Sequence, residues 1–334
     1  MKKNSDKLSL KNKKVLVTGG LGFIGSNLAH RCLKLGAKVT IYDNLDPNSG
    51  GNLYNIIDIK NDVKICYHDI LNFDRLTECI IDKDFLFNCA ASTSHPYSMK
   101  EPWLNLDANS RGVINLLEAS RRFNPTVRFV HIGTTTQIGK LNYYPADENH
   151  PEYPTDIYSA NKSVSEKYVL IYGAAHRLPV TVIRLPNVFG PRSAIHSSDF
   201  TFNNFFIGLA LQGKDITIYG TGEQKRNILY VDDAVEALIK AAMTDNTIGE
   251  TYFAVSDQHY SVADIAKLTA KHIGGSVKFI EWPAERKAID IGDAIISNAK
   301  FKKTVSWQPK VSLDEGLKLT KQYYKNNMNK YLKK

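Results

Sequence analysis

Four of the ten residues in VTGGLGFIGS (17–26) are glycines. Three of them recur as Gly19-x-x-Gly22-x-x-Gly25, directly after the β-branched run VLVT and directly before an amphipathic stretch that starts near Phe23. A strand, a glycine bend and a helix in that order leave the backbone amides of the helix start uncovered. Those amides and the helix dipole favour an anion such as a pyrophosphate, and only glycine lets one approach so closely. An acid downstream gives the pattern its meaning. Asp43 closes the next β-branched run, in IYDN, 18 residues past Gly25. A carboxylate there accepts the two hydroxyls of an adenosine ribose and repels a 2′-phosphate, so the spacing predicts NAD rather than NADP.

The rest of the first half repeats the same unit. Apolar runs at 13–18, 37–42, 62–67, 84–89, 127–133 and 179–185 alternate with amphipathic stretches at 23–35, 72–81, 103–123 and 157–177. Strands alternating with helices predict an α/β fold, a Rossmann-type doubly wound parallel sheet. The runs are apolar throughout rather than on alternate residues, as strands covered on both faces must be. After residue 186 the rhythm loosens into a Pro- and Gly-bearing loop, helical patterns at 200–212, 232–243, 261–273 and 312–329, and short strand-like pieces at 216–219 and 250–255. The expected division is a dinucleotide-binding domain over 1–185, with a basic N-terminal extension over 1–12, and a smaller mixed α/β lobe over 186–334. One strand of that lobe has room to return to the main sheet.

Composition narrows the classes. The chain of 334 residues is 43% hydrophobic and 23% charged, as in a soluble globular enzyme. No apolar run approaches the roughly 20 residues that cross a bilayer, and the start, MKKNSDKLSLKNKK, lacks the apolar segment of a secretory signal, so a cytoplasmic protein without a membrane partner is expected. The net charge of +9 gathers at the two ends, without the basic–aromatic interleaving of a nucleic-acid binder. No nucleic-acid partner is therefore expected, and the bias suits an anionic small substrate. Cys32, Cys66, Cys79 and Cys89 form no CxxC pair, which predicts reduced thiols and no metal site.

The second constellation is Tyr158-Ser-Ala-Asn-Lys162, at the start of an amphipathic stretch. Side chains four residues apart share a helical face, and an ammonium beside a phenol favours the phenolate. Such a tyrosine takes a proton from an alcohol as hydride leaves the same carbon. Thr134 leaves the fifth strand at its carboxyl end, where ligands of open α/β sheets bind, and its hydroxyl is placed to share the reacting proton. Thr135 and Thr136 read as ordinary turn polarity. Asp69, after the third strand, reads equally as an adenosine contact or a helix cap, and the small residues Ala90, Ala91 and Ser92 suit a surface under a flat cofactor.

Taken together, TGGLGFIG, YDN, FNCAA, Thr134, YSANK, RLPNVFGP and RNILYVDDA resemble the extended short-chain dehydrogenase/reductase family, and within it the NAD-dependent nucleotide-sugar epimerases and dehydratases. The likeness runs from about residue 13 to about 325. It implies Thr134, Tyr158 and Lys162 as the catalytic residues. It implies a cofactor site of Gly19, Gly22, Phe23, Ile24, Gly25, Asp43, Asn44, Asp69, Ile70, Ala90, Ala91, Asn109, Tyr158 and Lys162. For a nucleotide-diphosphate sugar it implies Ser92, His95, Thr134, Asn187, Arg192, Arg226 and Arg286, the last in a degraded form of the family pattern (Arg286-Lys-Ala-Ile-Asp290). His95, in the divergent segment SHPYSM, is expected to face the sugar, and reads as a loop hydrogen-bonding group ahead of an acid–base group. The helices at 103–123 and 157–177 resemble the pair that builds a homodimer in this family. Dehydratases of the family carry Asp-Glu after the threonine, and decarboxylases a nearby glutamate. Thr135 and Thr136 stand there instead, so a C4 epimerase is expected. A 4,6-dehydratase, a 4-dehydrogenase or ketoreductase, and a non-catalytic NAD sensor are the alternatives.

Overall fold

The computed structural model describes residues 8–284, 287 and 290–332. Six strands follow the expected runs: β1 (Lys14–Thr18), β2 (Lys38–Tyr42), β3 (Val63–Cys66), β4 (Phe85–Asn88), β5 (Arg128–Thr134) and β6 (Val180–Leu185). They pair in parallel in the order β3-β2-β1-β4-β5-β6. The edge beyond β6 is closed by a strand from the second half, Glu250–Phe253, with Thr251 opposite Val182.

Burial explains the continuous apolar runs. In β1, Val15 and Val17 enter one core while Leu16 enters the other, on the opposite face. The first face is covered by α1 (Phe23–Lys34), through Leu28, Ala29 and Cys32, and by a helix at Val231–Ala242. The second is covered by α2 (Phe73–Ile80), by a helix ending at Phe123 and by a long helix starting at Ile157. The segment expected as one helix over 103–123 is built from α4 (Pro102–Leu106), a π-helical turn at Asp107–Arg111 and α5 (Gly112–Phe123), and α3 (His95–Lys100) precedes it. The long helix is α6 (Ile157–His176). The extra residue of a π turn re-aims its side chains, and here Asn109 and Ser110 are both buried.

Of the extension expected over 1–12, residues 1–7 lie outside the described residues. Leu10 is buried and its N–H donates to Leu35 O at 2.9 Å. In the second half, β7 (Asn187–Phe189), β9 (Lys225–Tyr230) and β11 (His259–Ser261) make one small sheet, and β8 (Ile216–Tyr219) with β12 (Val277–Ile280) makes another; β10 is the strand that joins the main sheet. Around them stand α7 (Phe202–Leu211), α8 (Val231–Ala242), α9 (Val262–His272), α10 (Ala299–Val305) and α11 (Leu313–Asn327). No helix among the described residues is long and apolar enough to cross a membrane.

Candidate active site

The glycine bend stands at the carboxyl end of β1, beside the point where the strand order reverses between β1 and β4. A crevice opens there in any sheet of this winding. Gly19 has φ +65°, and a Cβ on it would lie 2.7 Å from backbone atoms of Cys89 and Ala90. A Cβ on Gly25 would lie 2.2 Å from Gly19 O, so the bend can close only without side chains. Gly22 caps α1 and no side chain satisfies the first-turn amides. An anion finds uncovered donors and a favourable dipole at that end.

The crevice is a cleft of about 1340 Å³, larger than the ~300–1,000 Å³ usual for a single small ligand. Gly19, Gly22, Phe23, Ile24 and Gly25 line one end. Asp43 and Asn44 follow, with Asp69 and Ile70 from the loop after β3. Asp43 accepts the Leu21 N–H through Oδ2 at 2.9 Å and the Leu45 N–H through Oδ1 at 2.8 Å. Burial pushes its carboxyl up, and those two amides pull against it. Asp69 accepts from Asn44 Nδ2 at 2.7 Å and from the Leu71 N–H at 2.8 Å. Asn72, not Asp69, caps α2. Ala90, Ala91 and Ser92 continue the floor.

Thr134, Tyr158 and Lys162 line the same cleft, with His95, Asn187 and Arg226. Tyr158 and Lys162 lie one turn apart on α6 and are buried. Thr134 is the hydrogen-bonding neighbour that pulls the proton affinity of the Tyr158 hydroxyl down. The phenol, however, is not acidified by the ammonium as the spacing predicts. Burial, then the charge of Asp156, push it up, and only the Thr134 bond opposes them. Burial pushes Lys162 down to about 8, and its Nζ lies 3.4 Å from His131 Nε2. His131 is itself pushed well down by burial and the neighbouring lysine, so the ammonium meets a neutral ring.

Two expected contacts fall elsewhere. Asn109 is buried beneath the floor, donating from Nδ2 to Ser92 O at 2.8 Å and accepting the Ser92 N–H at 3.1 Å. It holds the wall and does not line the cleft. Arg192 does not reach the cleft at all: its guanidinium donates to Asn27 Oδ1 at 2.9 Å and Asn55 O at 3.1 Å and stacks on the Tyr323 ring. Arg286 lies outside the described residues. Arg226 does line the cleft, with its guanidinium paired to Asp290 at 2.8 Å.

A chain of side chains that local spacing does not report runs beside Thr134. Thr134 Oγ1 lies 3.1 Å from Thr136 Oγ1, which lies 3.0 Å from Ser159 Oγ. Ser159 Oγ lies 3.1 Å from Asp156 Oδ2, and that oxygen lies 2.8 Å from His95 Nδ1. Thr136 is thus more than turn polarity. Asp156 was legible as the cap of α6, through its bond from the Ser159 N–H, but not as a partner of a histidine 61 residues away.

Comparison with known proteins agrees with this geometry. The family model described as the NAD dependent epimerase/dehydratase family matches residues 15–256. The chain belongs to that family. A UDP-N-acetyl-alpha-D-glucosaminuronate decarboxylase of Bacillus cytotoxicus is 31% identical over 95% of this chain and 99% of its own. A UDP-glucose 4-epimerase of Thermotoga maritima, solved with UDP-glucose, superposes with TM-score 0.85 at 27% identity, covering 94% of this chain and 99% of its own. A dTDP-glucose 4,6-dehydratase of Bacillus anthracis, solved with NAD, gives TM-score 0.83 at 26% identity, covering 96% of this chain and 98% of its own. The protein is an NAD-dependent enzyme of this nucleotide-sugar family. The glycine bend, the uncapped start of α1 and the carboxylate of Asp43 fit a pyrophosphate and a ribose diol, the groups that NAD presents.

Proposed function

We propose that the protein is a C4 epimerase of a nucleotide-diphosphate sugar, working through a transient 4-keto sugar. The observation that carries the reading is that Thr134 and Tyr158 line one cleft, the threonine followed by the hydroxyls of Thr135 and Thr136, where an elimination would need carboxyl groups. Gly19, Gly22, Gly25, Asp43 and Asp69 would hold the dinucleotide, and Lys162 its nicotinamide ribose. Bound NAD supplies a hydride acceptor and a positive charge that favours the phenolate. Tyr158 takes the proton of the sugar hydroxyl as the carbon is oxidised, with Thr134 on the same cleft wall to share that proton. The ketone then turns over within the cleft and is reduced on its other face, so no cofactor is consumed.

Asn187 and Arg226 are the proposed contacts to the diphosphate. The planar fork of Arg226 suits a phosphate, in exchange for its pair with Asp290. Decarboxylases and dehydratases are as similar to the chain as epimerases are, and they define the second reading. Incubation with NAD and UDP-glucose, UDP-galactose, UDP-glucuronic acid or dTDP-glucose, followed by NMR, decides between them. A C4 epimer without net NADH supports the proposal. A 4-keto-6-deoxy sugar, seen by its ultraviolet absorbance in alkali, or loss of carbon dioxide from UDP-glucuronic acid, overturns it.

A further inference from the structure

The proposed hydride transfer uses Tyr158, Thr134 and Lys162 and leaves a second titratable pair in the same cleft without a task. Asp156 accepts the Ser159 N–H through Oδ1 at 2.8 Å, while Oδ2 meets Ser159 Oγ at 3.1 Å and His95 Nδ1 at 2.8 Å. Burial pushes the Asp156 carboxyl up, but the bonds it accepts from His95 and Ser159 oppose that, and it lies below the ordinary carboxylate range. It is therefore ionised. An ionised carboxylate only accepts, so Nδ1 carries a proton and a neutral imidazole has its lone pair on Nε2. Among the described residues Nε2 has no partner.

The ring is also aimed. It packs edge-on against the Tyr158 ring, with centroids 4.7 Å apart and planes at 73°. His95 and Tyr158 both line the cleft. Capping α6 requires only the Ser159 N–H, which leaves the second carboxylate oxygen free to orient an imidazole. A carboxylate fixing the tautomer of a histidine that lines a cavity, its other nitrogen unpartnered among the described residues, is the arrangement of a general base with its orienting group.

We propose that His95 is a second acid–base residue of this site, removing and returning a proton on the ring carbon next to C4 while C4 is a ketone. The proposal rests on the 4-keto intermediate of the preceding section. The C–H bond adjacent to the ketone breaks. Its proton goes to His95 Nε2, and its electron pair moves into an enolate whose charge lies on the C4 oxygen, facing the Thr134 and Tyr158 hydroxyls. The imidazolium that forms is balanced by Asp156. Return of a proton to carbon restores the ketone, with no change in oxidation level and no further reactant. Solvent hydrogen then replaces the ring hydrogen during turnover, which hydride transfer at C4 alone does not do.

The test is turnover in deuterium oxide with NAD and UDP-glucose, UDP-galactose, UDP-glucuronic acid or dTDP-glucose, the recovered sugars being read by mass spectrometry and NMR. Carbon-bound deuterium next to C4 in wild-type product is the expected result. In His95→Gln, the ratio of that deuterium to C4 turnover should fall about 100-fold, the lower range of a general base. Melting temperature and NAD binding of the variant confirm its fold. A sugar turned over without carbon-bound deuterium overturns the role of His95 and leaves the 4-keto reading standing. So does an unchanged ratio in the variant. If none of the four sugars is oxidised, the 4-keto reading fails and this proposal with it.

Discussion

Lys162 places a cation where the fold resists it, and replacing it should make the unliganded protein more stable. Burial moves its ammonium from 10.5 to about 8. Each unit is worth about 1.4 kcal/mol, so holding the charge at neutral pH costs about 3 kcal/mol. Lys162→Met keeps most of the side-chain volume and loses one hydrogen bond to His131, worth about 1 kcal/mol. The net gain is about 2 kcal/mol, or about 3 °C in melting temperature for a chain of this size. The pH dependence fixes the cause. Below about 8 the lysine is protonated whether folded or unfolded, and the full cost is present. Between about 8 and 10.5 the unfolded chain binds a proton that the folded lysine has lost, so wild-type stability climbs with pH and the advantage of methionine disappears. Urea melts of both proteins at pH 7 and pH 10, without nucleotide, measure this. A variant no more stable at pH 7, or a gain that does not shrink by pH 10, refutes the reasoning. The same variant should lose NAD affinity, which marks the lysine as a residue kept for its ligand.

Other perturbations test other parts of the site. Asp43→Ala should weaken NAD, measured by titration, and narrow its preference over NADP; it leaves two backbone amides without an acceptor, so a stability loss of about 1–3 kcal/mol accompanies it. Gly25→Ala should abolish NAD binding, because its Cβ would meet the Gly19 carbonyl oxygen at 2.2 Å and the bend cannot close around it. Arg192→Ala should lower stability by about 1–3 kcal/mol through two lost hydrogen bonds and the Tyr323 stacking, with the KM for sugar nucleotide unchanged; a raised KM would return the residue to the substrate site.

The sheet and the dinucleotide end were legible because each signal was local. A continuous apolar run reports burial on both faces, and the glycine spacing reports one bend, so β1, α1 and Asp43 fell where the pattern put them. The short strands β7, β9, β11 and β12 carry little periodicity in three to six residues, and they form only against partners distant in sequence. Arg192 shows another limit. A residue type fit for phosphate lies in a motif beside the cleft, yet a left-handed backbone at φ 70° accompanies a side chain turned to Asn27 and Tyr323. The phenol shows a third. Four-residue spacing places Tyr158 and Lys162 on one face, but burial and Asp156 decide its proton affinity. The His95–Asp156 pair joins a segment after β4 to the cap of α6, and no local pattern reports that.

The central claim, that Tyr158 takes the proton as hydride leaves the sugar, is tested most directly by single-turnover formation of enzyme-bound NADH from UDP-glucose or UDP-galactose, followed by absorbance. Tyr158→Phe should slow that step by about 10²–10⁴-fold while NAD affinity stays as in the wild type. A variant that forms NADH within about tenfold of the wild-type rate contradicts the account, because proton transfer would then belong to another group.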